Sequence, residues 1–356
     1  MANTLPQHVP ALDGLRAVAA LGVLVTHVSF QTATGWAWAE RLDYFVAVFF
    51  ALSAFVLWRR RDAHSPAGYY LARFRRVMPA YWACVAVVFL ALPGASFSAV
   101  QVLSTLTATQ IYVPDGLASG VTQLWSLCVE FAFYLVLPWL PSFRSLCARL
   151  IALGSIAALS LGWAWVAAPI EDFTGVNAQI WPPAYAAWFA VGMAAAELEG
   201  RVRAPRRAWP FWILAAACVW LGSREWFGPQ GLTHPTPGEF ARRVAVGAAF
   251  AAAIVVPYAL GTRSPVLESP LMRRLGLWSY AIFLWHVAVL WIVFPLTGLP
   301  LFSGYFFLVL IATAALTIPI AAASYYWVEV PASAWLATNA PRLAPAKAAS
   351  SQKSPA

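Results

Sequence analysis

The chain has 356 residues, of which 61% are hydrophobic and only 10% charged, and its mean hydropathy is +0.69. Soluble domains carry about 25% charged residues, so a soluble globular fold is excluded and a polytopic membrane protein is indicated. The formal charge of +9 does not point to nucleic acid: the arginines sit between apolar runs, where they act as topology signals, and no aromatic-plus-basic groove pattern accompanies them.

Residues 1–10 read as a short polar lead. It has no basic n-region, and no small-residue cleavage site follows the first apolar run, so that run reads as a retained span and not a signal peptide. Ala11 to Phe30 is long and apolar enough to cross a bilayer as a helix. It nevertheless carries Asp13, Arg16 and His27. Ionisable groups inside a span are costly, and their default reading is functional. Arg16 and His27 are eleven residues apart, which is three turns plus about 20°; they share one helix face, about 16 Å apart along the axis.

Gly35 to Asp43 reads as a loop and Tyr44 to Trp58 as the second span, closed by Arg59, Arg60 and Arg61. A basic loop holding Arg73, Arg75 and Arg76 runs to Met78, and Pro79 to Leu92 is the third span. Within 94–123 lies the ambiguous run Ala99–Val113. Later spans are Leu124–Leu140, Leu146–Ala168, Pro183–Leu198, Trp209–Gly222, Val244–Leu260, Leu277–Pro295 and Phe302–Val328. Residues 332–356, rich in Ala, Pro, Ser and Lys, read as a disordered cytoplasmic tail.

Positive charge decides the ambiguous run. If 99–113 does not cross, the arginine clusters at 59–76, 144–149, 201–207 and 263–274 all face the cytoplasm, and only Arg41, Arg224, Arg242 and Arg243 lie outside. If it crosses, every later cluster inverts. The expected fold is therefore an all-α bundle of ten spans around a polar cavity, with both termini cytoplasmic and 94–123 an outer or re-entrant element. The four cysteines form no CxxC pair, so no metal site and no disulfide framework is expected.

Candidate chemistry gathers at few places. Ser126 and Glu130, in the run Trp125-Ser126-Leu127-Cys128-Val129-Glu130, are four apart and share a helix face. With the expected topology Glu130 lies at the depth of His27, where a carboxylate would fix the imidazole tautomer and raise its basicity. His286 lies mid-span and lines a cavity or packs. Glu329 reads as structural, and His8, His64 and His234 as surface residues. The arginines of 59–76 serve as a topology anchor or, as guanidinium forks, as a phosphate grip by Arg73 and Arg76.

These residues carry a resemblance. Leu12-Asp13-Gly14-Leu15-Arg16 through His27, Phe49-Phe50-Ala51-Leu52-Ser53-Ala54-Phe55, Arg73-Phe74-Arg75-Arg76 followed by Pro79, Leu124 to Glu130 with Phe133-Tyr134, and Leu275-Gly276 through Ser279-Tyr280 to His286 follow in order the motifs of the acyltransferase-3 family of integral-membrane O-acyltransferases. The resemblance covers residues 11–331. Ala54 stands where the family has Gly, Phe131 where many members have a second Glu, and Val330 interrupts the usual Glu-Arg-Pro ending. It implies an acyl-CoA donor, usually acetyl-CoA, entering from the cytoplasm of a bacterial inner membrane. The implied acceptor is a hydroxyl of a cell-envelope glycolipid or glycan, such as a trehalose mycolate, or of a macrolide. Arg73, Arg76 and Arg16 then bind the donor, His27 is the general base with Glu130 behind it, and Asp13, Trp125, Ser126 and His286 line the cavity. The absence of a further hydrolase-like domain gives a stand-alone transferase. The competing class is a transporter or flippase, which calls for inverted repeats that the sequence does not display.

Overall fold

The computed structural model describes residues 8–61, 65–141, 143–229 and 234–339. Most of the N-terminal lead, His64 and the tail from 340 fall outside them. All regular structure among the described residues is helical. The helices are α1 (Pro10–Thr32), α2 (Ala37–Glu40), α3 (Phe45–Trp58), α4 (Pro66–Ala91), α5 (Ala99–Leu106), α6 (Trp125–Val136) and α7 (Leu146–Thr174). There follow α8 (Ala186–Leu198), α9 (Trp209–Gly222), α10 (Pro237–Ala259), α11 (Pro270–Thr297), α12 (Phe306–Ser324) and α13 (Val330–Asn339). A π-helical turn, Tyr325–Glu329, joins the last two.

Local chemistry sets the long helices. α4, α10 and α11 each begin with a Ser or Thr cap followed by proline: Ser65-Pro66, Thr236-Pro237 and Ser269-Pro270. The hydroxyl accepts from a first-turn N–H, and proline fits the first position because its missing N–H has no partner there. Thr236 and Glu239 complete a reciprocal capping box.

Two expectations are corrected here. The basic stretch to Met78 is not a loop: it is the first half of α4, and Pro79 lies inside that helix instead of starting it. Interior prolines recur at Pro169, Pro257, Pro295 and Pro319, as neighbouring helices allow in a membrane bundle. Residues 332–339 of the expected disordered tail are helical, continuing α12 through the π-helical turn into α13.

Among the described residues seven segments are long and apolar enough to cross a membrane: Pro10–Thr32, Ala37–Trp58, Pro66–Ala91, Leu146–Thr174, Pro237–Ala259, Pro270–Thr297 and Phe306–Asn339. The protein is thus a multi-pass membrane protein. α6, α8 and α9, expected as spans, have 12, 13 and 14 residues, fewer than the about 20 that a straight crossing needs. α5, with 8 residues, is far too short to cross.

Burial separates centre from rim. The apolar windows of Pro10–Thr32, Ala37–Trp58 and Pro270–Thr297 are 67%, 72% and 67% buried, against 22% for Leu146–Thr174 and 28% for Phe306–Asn339. α1 and α11 pack along each other, α3 packs on α8, and α12 leans on α11. Glycine makes the closest approaches possible. A Cβ on Gly276 would lie 2.2 Å from the Asp13 carbonyl oxygen, one on Gly14 2.2 Å from that of Leu267, and one on Gly192 2.0 Å from that of Ala51. Small residues at such crossings let backbones touch. Gly192 faces Ala54 as well, so the close α3–α8 contact survives with alanine at the position where the resembling family has glycine.

Candidate active site

One end of the central helices encloses a cavity of about 460 Å³. α1 contributes Arg16, α3 Phe49 and Ser53, α4 Arg73, Arg75 and Arg76, α6 Ser126 and Glu130, and α11 Ser279 and Phe283. Its size falls within the usual range for small-molecule sites, about 300–1,000 Å³. One wall is cationic, the other aromatic.

The cationic wall follows from α4 being a helix. Arg73 and Arg76 are three residues apart, so both reach the same side, and Arg75 joins them. Arg76 lies 3.5 Å from the carboxylate of Glu329 in the π-helical turn. The Nε atoms of Arg73 and Arg75 are buried without a hydrogen-bond partner among the described residues. Other arginines are committed elsewhere: Arg59 pairs with Glu199 at 2.6 Å and Arg149 with Glu197 at 2.7 Å. The three guanidinium groups that line the cavity suit an anionic group with several oxygens, such as a phosphate.

Arg16 is held by Asp13, one turn earlier, at 3.0 Å, and Asp13 also meets His8 at 2.8 Å. Asp13 therefore orients Arg16 from behind and does not line this cavity. Trp125 does not line it either, because its ring packs on Tyr185 with centroids 5.2 Å apart. Glu130 accepts a hydrogen bond from the Tyr134 hydroxyl at 2.5 Å, and that hydroxyl lies 3.2 Å from Ser53 Oγ. Since the Tyr134 proton goes to the carboxylate, its oxygen accepts from Ser53.

His27 stands apart from this network. Its Nδ1 is 2.9 Å from the Val23 carbonyl oxygen and 3.2 Å from Nε2 of His286. His286 Nδ1 in turn lies 2.8 Å from the Phe283 and 3.1 Å from the Ile282 carbonyl oxygens. Carbonyl oxygens only accept, so both Nδ1 atoms carry hydrogens. Two consequences follow. His286 Nε2 presents a lone pair to His27, and no side chain or carbonyl among the described residues claims the lone pair on His27 Nε2. The expected pairing of Glu130 with His27 is therefore corrected: the side chain facing His27 is His286, while Glu130 faces the arginine-lined cavity. His286 is fully buried behind the cavity wall.

A single aromatic layer links the two groups. Phe283, which lines the cavity, lies 5.7 Å from His286 and 5.8 Å from Phe49, ring centre to ring centre. The structure thus gathers Arg16, Arg73, Arg76, Ser126 and Glu130 around one space and pairs His27 with His286 beyond it. Sequence reasoning missed Ser53, Arg75, Tyr134 and Ser279 as wall residues. Tyr134 had a signal, since it follows Glu130 by one helical turn.

Comparison with known proteins places this arrangement. Residues 9–325 match the profile of the acyltransferase-3 family, described as an acyltransferase domain. The Acyltransferase MdmB of Streptomyces mycarofaciens is 30% identical over 326 residues, covering 79% of each chain. The Peptidoglycan O-acetyltransferase OatA of Listeria monocytogenes is 27% identical over 186 residues, which cover 43% of this chain and 28% of that protein. No solved structure matches.

Proposed function

Because the chain belongs to the acyltransferase-3 family, we propose that this acyl-transferring enzyme moves an acetyl group from acetyl-CoA to a hydroxyl of a cell-envelope glycolipid or glycan in the bacterial cytoplasmic membrane. The observation that carries this reading is the unclaimed Nε2 lone pair of His27, held by Val23 and His286 in the tautomer a general base needs.

Arg73, Arg75 and Arg76 take the donor's phosphates, which suit the guanidinium groups lining the cavity. Arg16 adds positive charge deeper in the cavity, towards the thioester. His27 Nε2 removes the proton from the acceptor hydroxyl as its oxygen bonds to the thioester carbonyl carbon. The tetrahedral oxyanion needs a hydrogen-bond donor, a role open to Ser126. When the C–S bond breaks, His27 returns the proton to the departing sulfur, leaving an ester and free CoA thiol. No step needs a covalent acyl-enzyme, and no nucleophile-elbow sequence is present to form one.

The ten-span topology with cytoplasmic termini belongs to the same proposal. It takes α6, α8 and α9, extended by their flanking turns, as three further crossings beside the seven long segments, and it keeps the arginine clusters on the donor's side.

The test is turnover by the purified protein in detergent with radiolabelled acetyl-CoA and an envelope glycolipid extract from a deletion strain. Label should move to the lipid with the wild type and not with His27→Ala at equal expression. Wild-type transfer by His27→Ala would refute the mechanism. Label appearing only on a secreted small alcohol would replace the acceptor. Substrate movement without acetyl-CoA consumption would favour a transporter.

A further inference from the structure

We propose that His286 is the positioning residue of the His27 base, a neutral imidazole serving where a carboxylate usually stands. The inference rests on the reading of His27 as general base.

The direction of the pair is fixed from the His286 side. Its Nδ1–H is spent on the carbonyls of Ile282 and Phe283, so only a lone pair remains at Nε2, 3.2 Å from His27 Nδ1. The His27 Nδ1–H is then shared between Val23, on its own helix, and His286, on another. The Val23 carbonyl alone selects the tautomer. A single acceptor one turn back leaves the ring free to rock, whereas a second acceptor from α11 sets the direction in which Nε2 points. The rings meet edge-on, with centroids 4.9 Å and planes 65° apart. When Nε2 takes up a proton, the charge spreads over the ring and both Nδ1 hydrogen bonds become charge-assisted.

The turn bearing His286 is itself clamped. The Leu284 carbonyl accepts from Gln123 Nε2 at 2.8 Å and from Cys84 Sγ at 3.4 Å. Gln123 comes from the turn before α6 and Cys84 from α4, so two other elements fix this turn of α11. His286 has no exposed surface and does not line the cavity, which makes it a positioning group and not a catalytic one.

Burial also explains the choice of residue. A carboxylate at a site with no solvent contact is penalised as an anion by the apolar interior, and the proton that would neutralise it turns the acceptor into a donor. Imidazole offers the same acceptor while the pair stays neutral until the acceptor proton arrives. Glu130 is thereby free to serve the cavity instead.

The test uses the full chain with histidine-¹⁵N labelling, [¹⁴C]acetyl-CoA and the envelope glycolipid extract. His286→Gln keeps an acceptor oxygen for His27 and a donor for the carbonyls; His286→Phe removes both. His286→Phe should lower kcat about 10²-fold with the acetyl-CoA KM unchanged. His286→Gln should recover to within about tenfold of the wild type. The His27 Nδ1 resonance should move in His286→Phe and stay near its wild-type position in His286→Gln. A His286→Phe protein with wild-type kcat overturns the inference. So does a folded His286→Gln protein as slow as His286→Phe. If His27→Ala keeps full turnover, the base assignment itself fails; if His27→Ala is inactive and His286→Phe is not, only the role of His286 fails.

Discussion

Gly276→Ala probes the contact that places α1 against α11. The new Cβ would sit 2.2 Å from the Asp13 carbonyl oxygen and 2.6 Å from its carbon, distances that real Cβ contacts do not reach. Both are backbone atoms, so no side-chain rotation relieves the clash, and the two helices must part by about 1 Å. Overpacking of this kind lowers stability by about 1–3 kcal/mol. The same parting acts on the His27–His286 bond, which at 3.2 Å has little room to lengthen before it ceases to be one. A displacement of about 1 Å in a reacting group slows turnover about 10²-fold. Thermal unfolding in detergent and acetyl transfer measure the two effects on one preparation. Gly154→Ala in α7 is the control: nothing lies within 4 Å of its new methyl, and stability should be unchanged or rise by up to about 1 kcal/mol. A Gly276→Ala protein with wild-type unfolding temperature and turnover would show that the helices yield there at no cost and that the site does not depend on their spacing.

Other substitutions divide the site into its parts. His27→Gln should reduce kcat by about 10²–10⁴-fold with little change in donor KM, measured by steady-state kinetics; a change in KM alone would make the imidazole a binding group. Arg73→Ala and Arg76→Ala should each raise the acetyl-CoA KM about tenfold or more while kcat changes little, and with acetyl-dephospho-CoA as donor the loss should be smaller; unchanged KM in both variants would remove the phosphate assignment. Tyr134→Phe deprives half-buried Glu130 of the donor at 2.5 Å and should lower stability by about 1–3 kcal/mol, read from the unfolding midpoint, with an unaltered midpoint counting against the Glu130–Tyr134–Ser53 network.

Much of the architecture was legible because hydrophobic runs in a membrane chain have little else to become. Ala11–Phe30 lies within Pro10–Thr32, and the shared face of Arg16 and His27 followed from helical period alone. Pro79 does not mark a helix start, although the apolar run Pro79–Leu92 begins with it, because the basic stretch before it is helical too. The true start was written as Ser65-Pro66, a cap followed by proline, thirteen residues earlier. Within the site, local spacing was readable and long-range pairing was not. Ser126 and Glu130 do line one space, as their spacing of four requires. The partner of His27, however, lies 259 residues away in sequence, and no periodicity links α1 to α11. The choice of Glu130 came from an inferred depth and a chemical habit, the carboxylate behind the imidazole. The carbonyl bonds that turn His286 into an acceptor arise from backbone geometry, which residue identity alone does not disclose.

The separation of the two groups constrains how transfer can proceed under the proposed function. Along α1, Arg16 and His27 are about 16 Å apart, so phosphates held by Arg73, Arg75 and Arg76 and a proton taken by His27 belong to opposite ends of a long, thin donor. The acyl end must then pass Phe49 and Phe283, whose rings lie 5.8 Å apart, centre to centre, in the cavity wall. Apolar rings at that point favour an uncharged thioester over a phosphate. The same layer explains why the base can be a neutral pair: the guanidinium charge of the cavity stays on one side of Phe283, where a donor phosphate would neutralise it, and no fixed charge is required on the other.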